Sequence, residues 1–184
     1  MQFMDLKLLN TNIEGVYELN LPRVEDQRGS FINIFRKNND SFKKIWGNRE
    51  ICQINLSKTL KKGCIRGLHL QKSPFEEAKL IHCIQGKIWD VAVDLRKDSR
   101  TFLKFFSIEL SPQENNSIII PEGCAHGFQA LENNSKLIYI HSNNWIKDAE
   151  IGYRWNDPTI KIPWPLKASL ISDKDQKLPL INPK

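Results

Sequence analysis

The stretch KLIHCIQGKIWDVAVDL, residues 79–95, decides how the fold reads. Two short apolar runs, Lys79 to Ile84 and Lys87 to Leu95, flank the pair Gln85-Gly86. In the second run Trp89, Val91, Val93 and Leu95 alternate with Asp90, Ala92 and Asp94. That period of two is expected of a strand with one face buried and the other not. Gln85-Gly86 predicts a tight hairpin between the runs. Further runs follow at Phe102 to Leu110, Ser117 to Ile120, His126 to Glu132 and Lys136 to His141. Turn formers at Asn115-Asn116, Pro121-Glu122-Gly123 and Asn133-Asn134 punctuate them. Many short strands at regular spacing predict an all-β sandwich or barrel. Helix is predicted only near Ser41 to Trp46 and near Ser172 to Gln176, where Ser172 or Asp173 can cap. Pro158, Pro163 and Pro165 make the C-terminal part, from about residue 155 to residue 184, an irregular wrapping segment.

At 184 residues, with 40% hydrophobic and 26% charged, the chain is expected to form a single domain, 1–184, with one core. It has no internal repeat and no low-complexity linker. Met1 to Asn10 lacks the basic-then-apolar layout of a signal peptide, and no apolar run approaches a membrane span, so a cytoplasmic protein with no membrane partner is expected. The four cysteines, Cys52, Cys64, Cys83 and Cys124, are widely spaced and read as reduced thiols. The net charge of +6 is scattered, with Lys61-Lys62 in a turn-like stretch, which argues against nucleic acid and is compatible with a small anionic substrate.

Gly63-Cys64-Ile65-Arg66-Gly67-Leu68-His69-Leu70-Gln71 has the glycine-to-histidine spacing that opens a cupin metal motif. Its second half does not follow. Gln71 stands where the second histidine belongs, and the later Pro121-x-Gly123-x-x-His126 leads to Ala130 where the motif wants asparagine. Two histidines without a matching carboxylate do not make a set of three or four ligands, so no metal is expected.

The chain resembles the dTDP-4-dehydrorhamnose 3,5-epimerase family. The resemblance rests on Asp26-x-Arg28-Gly29-x-Phe31, Gln53-x-Asn55-x-Ser57, Arg66-Gly67-Leu68-His69-x-Gln71, Lys79-Leu80, Asp90-Val91-x-Val93-Asp94-x-Arg96, Pro121-x-Gly123-x-Ala125-His126-Gly127-Phe128, Trp155-Asn156-Asp157-Pro158, Trp164-Pro165 and Ser172-x-Lys174-Asp175. These segments cover nearly the whole chain in the family's order. The resemblance implies a cupin-type jelly roll, a homodimer with an exchanged N-terminal strand, a dTDP-linked 4-keto-6-deoxy sugar as substrate and no cofactor.

It also implies roles. His69 matches the base, Asp175 the carboxylate that orients it, Lys79 the cation facing the ketone and Tyr139 the acid on the opposite face. Gln53, Asn55, Arg66, His126, Glu150 and Lys174 match substrate-binding positions, as do Arg28 and Phe31 from the partner subunit. Asn33 and Trp145 occupy base-binding positions where the family usually has glutamate and tyrosine, which leaves the nucleotide open. One extra residue between Gln53 and Arg66 predicts a shifted setting for Gln53 and Asn55.

The residue types suit the chemistry. Inverting a carbon beside a ketone requires removing its proton, stabilising the enolate and returning a proton on the other face. Histidine titrates near neutrality and suits the base; a tyrosine can donate if its phenol is drawn toward ionisation. The lysine serves the enolate oxygen, and the carboxylate fixes the imidazole tautomer. Two rival readings remain open at this level: epimerisation at one carbon only or on another nucleotide carrier, and a non-catalytic sugar-binding cupin.

Overall fold

The computed structural model describes residues 6–182. The leader expectation for Met1 to Asn10 therefore falls partly outside the described residues. In chain order they form β1 (Lys7–Asn10), β2 (Tyr17–Asn20), β3 (Arg23–Asp26), β4 (Gly29–Ile32), α1 (Asp40–Trp46), β5 (Gln53–Thr59), β6 (Ile65–Gln71), β7 (Lys79–Gln85), β8 (Ile88–Asp94), β9 (Phe105–Leu110), β10 (Asn116–Ile120), β11 (Cys124–Ala130), β12 (Ser135–His141), β13 (Glu150–Gly152) and α2 (Asp173–Gln176). The expected all-β class is borne out. Both expected helices form; α1 is capped by the Asn39 side chain and α2 by that of Ser172.

Two antiparallel sheets face each other, one in the order β1-β2-β10-β7-β12-β5 and the other β13-β6-β11-β8-β9. Ile81 and Cys83 of β7, Ile118 and Ile120 of β10 and Leu137 of β12 meet Ile88 and Ala92 of β8 and Phe128 of β11 between the sheets. Outside the first sheet, Leu19, Leu80 and Ile140 are covered by Phe42, Ile45 and Trp46 of α1. Outside the second, Leu68, Val91, Val93 and Ala125 are covered by Ile160, Ile162 and Ile181 of the C-terminal segment.

The structure departs from three expectations. Gln85-Gly86 does not close a hairpin: β7 pairs with β10 and β12, while β8 pairs with β9 and β11 in the facing sheet. Both strands are largely buried on both faces. Side-by-side pairing would leave their inner faces uncovered, whereas opposed sheets let Ile81 and Cys83 pack toward Ile88 and Ala92. The alternation in β8 is real, but neither face is wet. Val91 and Val93 lie under the C-terminal segment, and Asp90 and Asp94, both 0% exposed, lie on the opposite face with Ile88 and Ala92. The run Phe102 to Leu110 is strand only from Phe105, because Leu103 takes a positive φ of 62° in the preceding turn.

Asp94 holds one end of this arrangement. Its carboxylate accepts from the backbone N–H, Nε and Nη2 of Arg96 and from the hydroxyls of Ser99 and Thr101. Burial pushes the acid up, but these bonds outweigh it and hold it at about 2, below the ordinary 3.8. A depressed carboxylate contributes stability that is complete above its unfolded value and is lost as pH falls from about 3.8 toward 2. The shift corresponds to about 2 kcal/mol. Asp94→Asn is therefore expected to unfold at lower denaturant concentration than the parent at pH 7, with the difference shrinking below pH 4. Equal midpoints at pH 7 would contradict this.

Candidate active site

The site lies between the sheets. Lys79 opens β7, and two residues back along the chain stands Glu77; Tyr139 and His141 alternate along β12, which pairs with β7 through Tyr139 opposite Ile81 and His141 opposite Lys79. These side chains line one cavity with His126 of β11, Arg66 and His69 of β6, Asn55 and Glu150. His69 and His126 face each other in the register of β6 and β11, next to a register shift between His126 and Phe128. Gly67, at φ +108°, makes that crossing possible, because a Cβ there would lie 2.6 Å from the His126 carbonyl oxygen.

His69 is held by the C-terminal segment. Cys64 bridges to Leu170, and Ser172 then caps α2 by accepting the Asp175 backbone N–H, which brings buried Asp175 against β6. Asp175 Oδ1 lies 2.8 Å from His69 Nε2, and Oδ2 accepts the Gly67 N–H at 3.1 Å. Burial pushes this carboxyl up, but the His69 bond and charge and the Gly67 N–H outweigh it and hold it low. An ionised carboxylate only accepts, so Nε2 carries the imidazole proton and Nδ1 keeps the free lone pair. Cys64, Arg66, Lys174 and Asp175 line an adjoining cavity that shares His69.

His126 is tied in the same way, with Nε2 2.8 Å from Asp90 Oδ2 inside the sandwich. The Tyr139 ring sits edge-on to His126 at 5.7 Å between centroids and stacks on His141 at 5.9 Å. Burial, reinforced by the Asp90 carboxylate, pushes the Tyr139 phenol up. The expected draw toward ionisation is thus reversed: the low-dielectric interior keeps the hydroxyl protonated and available as a donor. Lys79 Nζ lies 3.1 Å from Glu77 Oε1 and donates to the His69 carbonyl at 3.4 Å.

The other expected residues divide into two groups. Gln53 stands on β5, accepts the Trp145 N–H and donates to Asn55, so the extra residue before Arg66 leaves both on a regular strand beside the cavity. Trp145 is half exposed at the rim, and Glu150 pairs there with Lys174. Arg28 and Phe31 lie elsewhere, on the two-stranded ribbon β3–β4, with Asn33 just beyond it. Arg28 pairs with Asp26, and Phe31 is 55% exposed. The sequence reading missed Glu77, His141 and Asp90. Two of them were within reach, since His141 lies two residues from Tyr139 on the same face of β12 and Glu77 lies two residues before Lys79 at the entry to β7. Among the described residues, no cluster of three or more His, Cys, Asp or Glu side chains is placed to hold a metal.

A sequence model of dTDP-4-dehydrorhamnose 3,5-epimerase matches residues 10–182. A Shigella flexneri protein of that name is 39% identical over 171 residues, covering 92% of this chain and 93% of its own. The Bacillus anthracis dTDP-4-dehydrorhamnose 3,5-epimerase, solved with TDP and PPi bound, superposes with a TM-score of 0.91 at 36% identity, covering 96% of this chain and 100% of its own. A Legionella pneumophila dTDP-6-deoxy-D-glucose-3,5-epimerase, in complex with dTDP-4-keto-L-rhamnose, gives 0.89 at 30% identity, covering 96% and 93%. With fold and sequence agreeing over more than nine-tenths of its length, the chain belongs to the dTDP-4-dehydrorhamnose 3,5-epimerase family.

Proposed function

We propose that this chain is an isomerase that converts dTDP-4-dehydro-6-deoxy-D-glucose to dTDP-4-dehydro-L-rhamnose by inverting C3 and C5. The observation that carries this reading is the placement of the proton carriers. His69 stands on one sheet, and Tyr139 and Lys79 stand on the other, around one cavity. A sugar ring held between the sheets meets a base on one face and a donor on the other.

His69 Nδ1 takes the proton from the carbon beside the ketone, and the electron pair moves into the enolate. The Lys79 ammonium stabilises the enolate oxygen, as a positioned cation does in an oxyanion site. Tyr139 returns a proton from the opposite face, and solvent restores both carriers. The sequence of steps exchanges protons only, with no net oxidation. Asp175 stabilises the imidazolium that forms. Arg66, Lys174, His126, Glu150, Gln53, Asn55 and Trp145 surround the nucleotide-sugar, and the arginine and lysine suit its diphosphate.

The fold supports a homodimer. The β3–β4 ribbon pairs with no other strand among the described residues, and edge strand β5 exposes Ile54 and Leu56 at 63% and 66%. Such an edge calls for a cover. In our reading a second copy supplies it, with Arg28, Phe31 and Asn33 reaching the partner's cavity. The whole chain, 1–184, then acts as one domain, since His69 depends on Asp175 from the C-terminal segment. Four free cysteines, three of them buried, suit a reducing cytoplasm, and no helix among the described residues is long and apolar enough to cross a membrane.

The test is an NMR time course of dTDP-4-dehydro-6-deoxyglucose in heavy water with a preparation whose mass is checked by sedimentation. Deuterium is expected at both C3 and C5, from a dimer. Incorporation at one carbon would make the protein a mono-epimerase, and none would refute the substrate assignment.

A further inference from the structure

A directed chain of hydrogen bonds runs from the rim of the cavity to Lys79. The Trp145 backbone N–H donates to Gln53 Oε1 at 2.9 Å, and Gln53 Nε2 donates to Asn55 Oδ1 at 3.0 Å. Asn55 Nδ2 lies 3.3 Å from His141 Nε2, and His141 Nδ1 lies 2.9 Å from Glu77 Oε2. The second Glu77 oxygen, Oε1, lies 3.1 Å from the Lys79 ammonium. Glu77, Lys79 and His141 are each buried and all line the cavity.

The polarity of this chain is fixed at both ends. A backbone N–H can only donate, so Gln53 must turn its oxygen toward Trp145 and its nitrogen toward Asn55. Asn55 then presents its own nitrogen to His141, whose Nε2 must accept. His141 is left neutral with its proton on Nδ1, donated to Glu77. A protonated His141 would set Nε2–H against the Asn55 donor. Relief by flipping Asn55 and Gln53 would only move the donor-donor conflict to Trp145. The cavity groups facing the pair also include Arg66, His69, His126, Tyr139 and Glu150, of which Glu150 is already engaged by Lys174. Burial pushes the Glu77 carboxyl up, but the His141 bond and the Lys79 charge outweigh it and hold it low. Glu77 is therefore an anion shared between an imidazole N–H and an ammonium.

We infer that Glu77 and His141 are positioning residues for the epimerisation: the relay holds the Lys79 ammonium in place and locks His141 as the neutral Nδ1–H tautomer. The inference rests on the reading above, in which Lys79 faces the ketone. A bland alternative treats Glu77 and His141 as a buried pair that merely satisfies itself, and the two differ in what they demand of position 141. Glutamine is a side chain that can also donate to Glu77 while accepting from Asn55; leucine has similar bulk and can do neither.

The experiment combines imidazole nitrogen NMR of the substrate-free protein with steady-state kinetics. In the wild type the His141 signals, assigned by their loss in His141→Gln, are expected to show a protonated Nδ1 and an unprotonated Nε2. Glu77→Gln is expected to lower kcat about 10²-fold, as a misplaced catalytic group does, with KM changed far less. In a Lys79→Met background the same change is expected to add nothing, because a residue acting through Lys79 has nothing left to position. His141→Gln is expected to stay within about threefold of wild type and His141→Leu to fall about 10²-fold. An Nε2–H tautomer, additive effects in the double variant or an active His141→Leu would each overturn the inference. Should Glu77→Gln not fold, the glutamine and leucine variants at position 141 decide alone. Because the tautomer is read without substrate, an inactive wild type would count against the proposed function and not against the relay geometry.

Discussion

His69→Ala is expected to lower kcat/KM by about 10³-fold, within the range a positioned base contributes, and to abolish deuterium entry at C3 and C5 together. With Asp175 held as an anion, its only role toward His69 Nε2 is to accept, so His69 offers Nδ1 to the cavity. The other imidazoles are less suited. His141 Nε2 faces Asn55, and His126 is locked through Nε2 to Asp90 and lies edge-on to Tyr139. Loss at both carbons would mean one base serves both inversions while the ring turns between steps. Continued exchange at one carbon would assign that proton to His126. The change is cheap for the fold, since His69 is only part-buried and its strand keeps its pairings through the backbone. Asp175→Asn tests the same pairing, because an amide can present its N–H to Nε2 and so shift the imidazole proton to Nδ1, which blocks the base.

Much of this site was legible in the sequence, and the parts that were not share a physical cause. Period-two patterning marked β8, short runs set between turn formers marked β11 and β12, and the Ser172 cap marked α2, because these depend on local geometry and turn chemistry. The partners of the strands depend instead on which apolar faces remain to be covered once all are folded. That is why Gln85-Gly86 reads as a hairpin but carries the chain from one sheet to the other. The same global condition hid the carboxylates. Asp90 and Asp94 alternate with valines as solvent-facing residues would, yet each is buried because His126 and Arg96 are there to meet it. Glu77 and His141 escaped notice for a related reason: each is an unremarkable polar residue until β7 and β12 pair and bring them within 2.9 Å. Arg28 and Phe31 were assigned to a partner's cavity from the resemblance. They lie on a ribbon that pairs with no other strand among the described residues, away from this chain's own cavity.

Tyr139→Phe separates the two halves of the reaction. Phenylalanine keeps the ring that packs between His126 and His141, so the fold and the cavity wall are expected to survive. What is lost is the hydroxyl that burial and Asp90 keep protonated. His69, Asp175 and Lys79 remain, so the proton can still be removed and the enolate still held. With no donor on the opposite face, the enolate collapses chiefly by taking a proton back from His69 on the face it left. The expected outcome is product formation reduced by about 10²- to 10⁴-fold. In heavy water, recovered starting material should carry deuterium with unchanged configuration, accumulating faster than inverted product appears. His69→Ala should show neither, so the two variants together assign the removing and the returning face. If the phenylalanine variant inverts at near wild-type rate, the proton must come from water or from another cavity group, and the donor role of Tyr139 falls. If it shows no exchange at all, the phenol is needed before the enolate forms, which would place Tyr139 at the ketone oxygen beside Lys79.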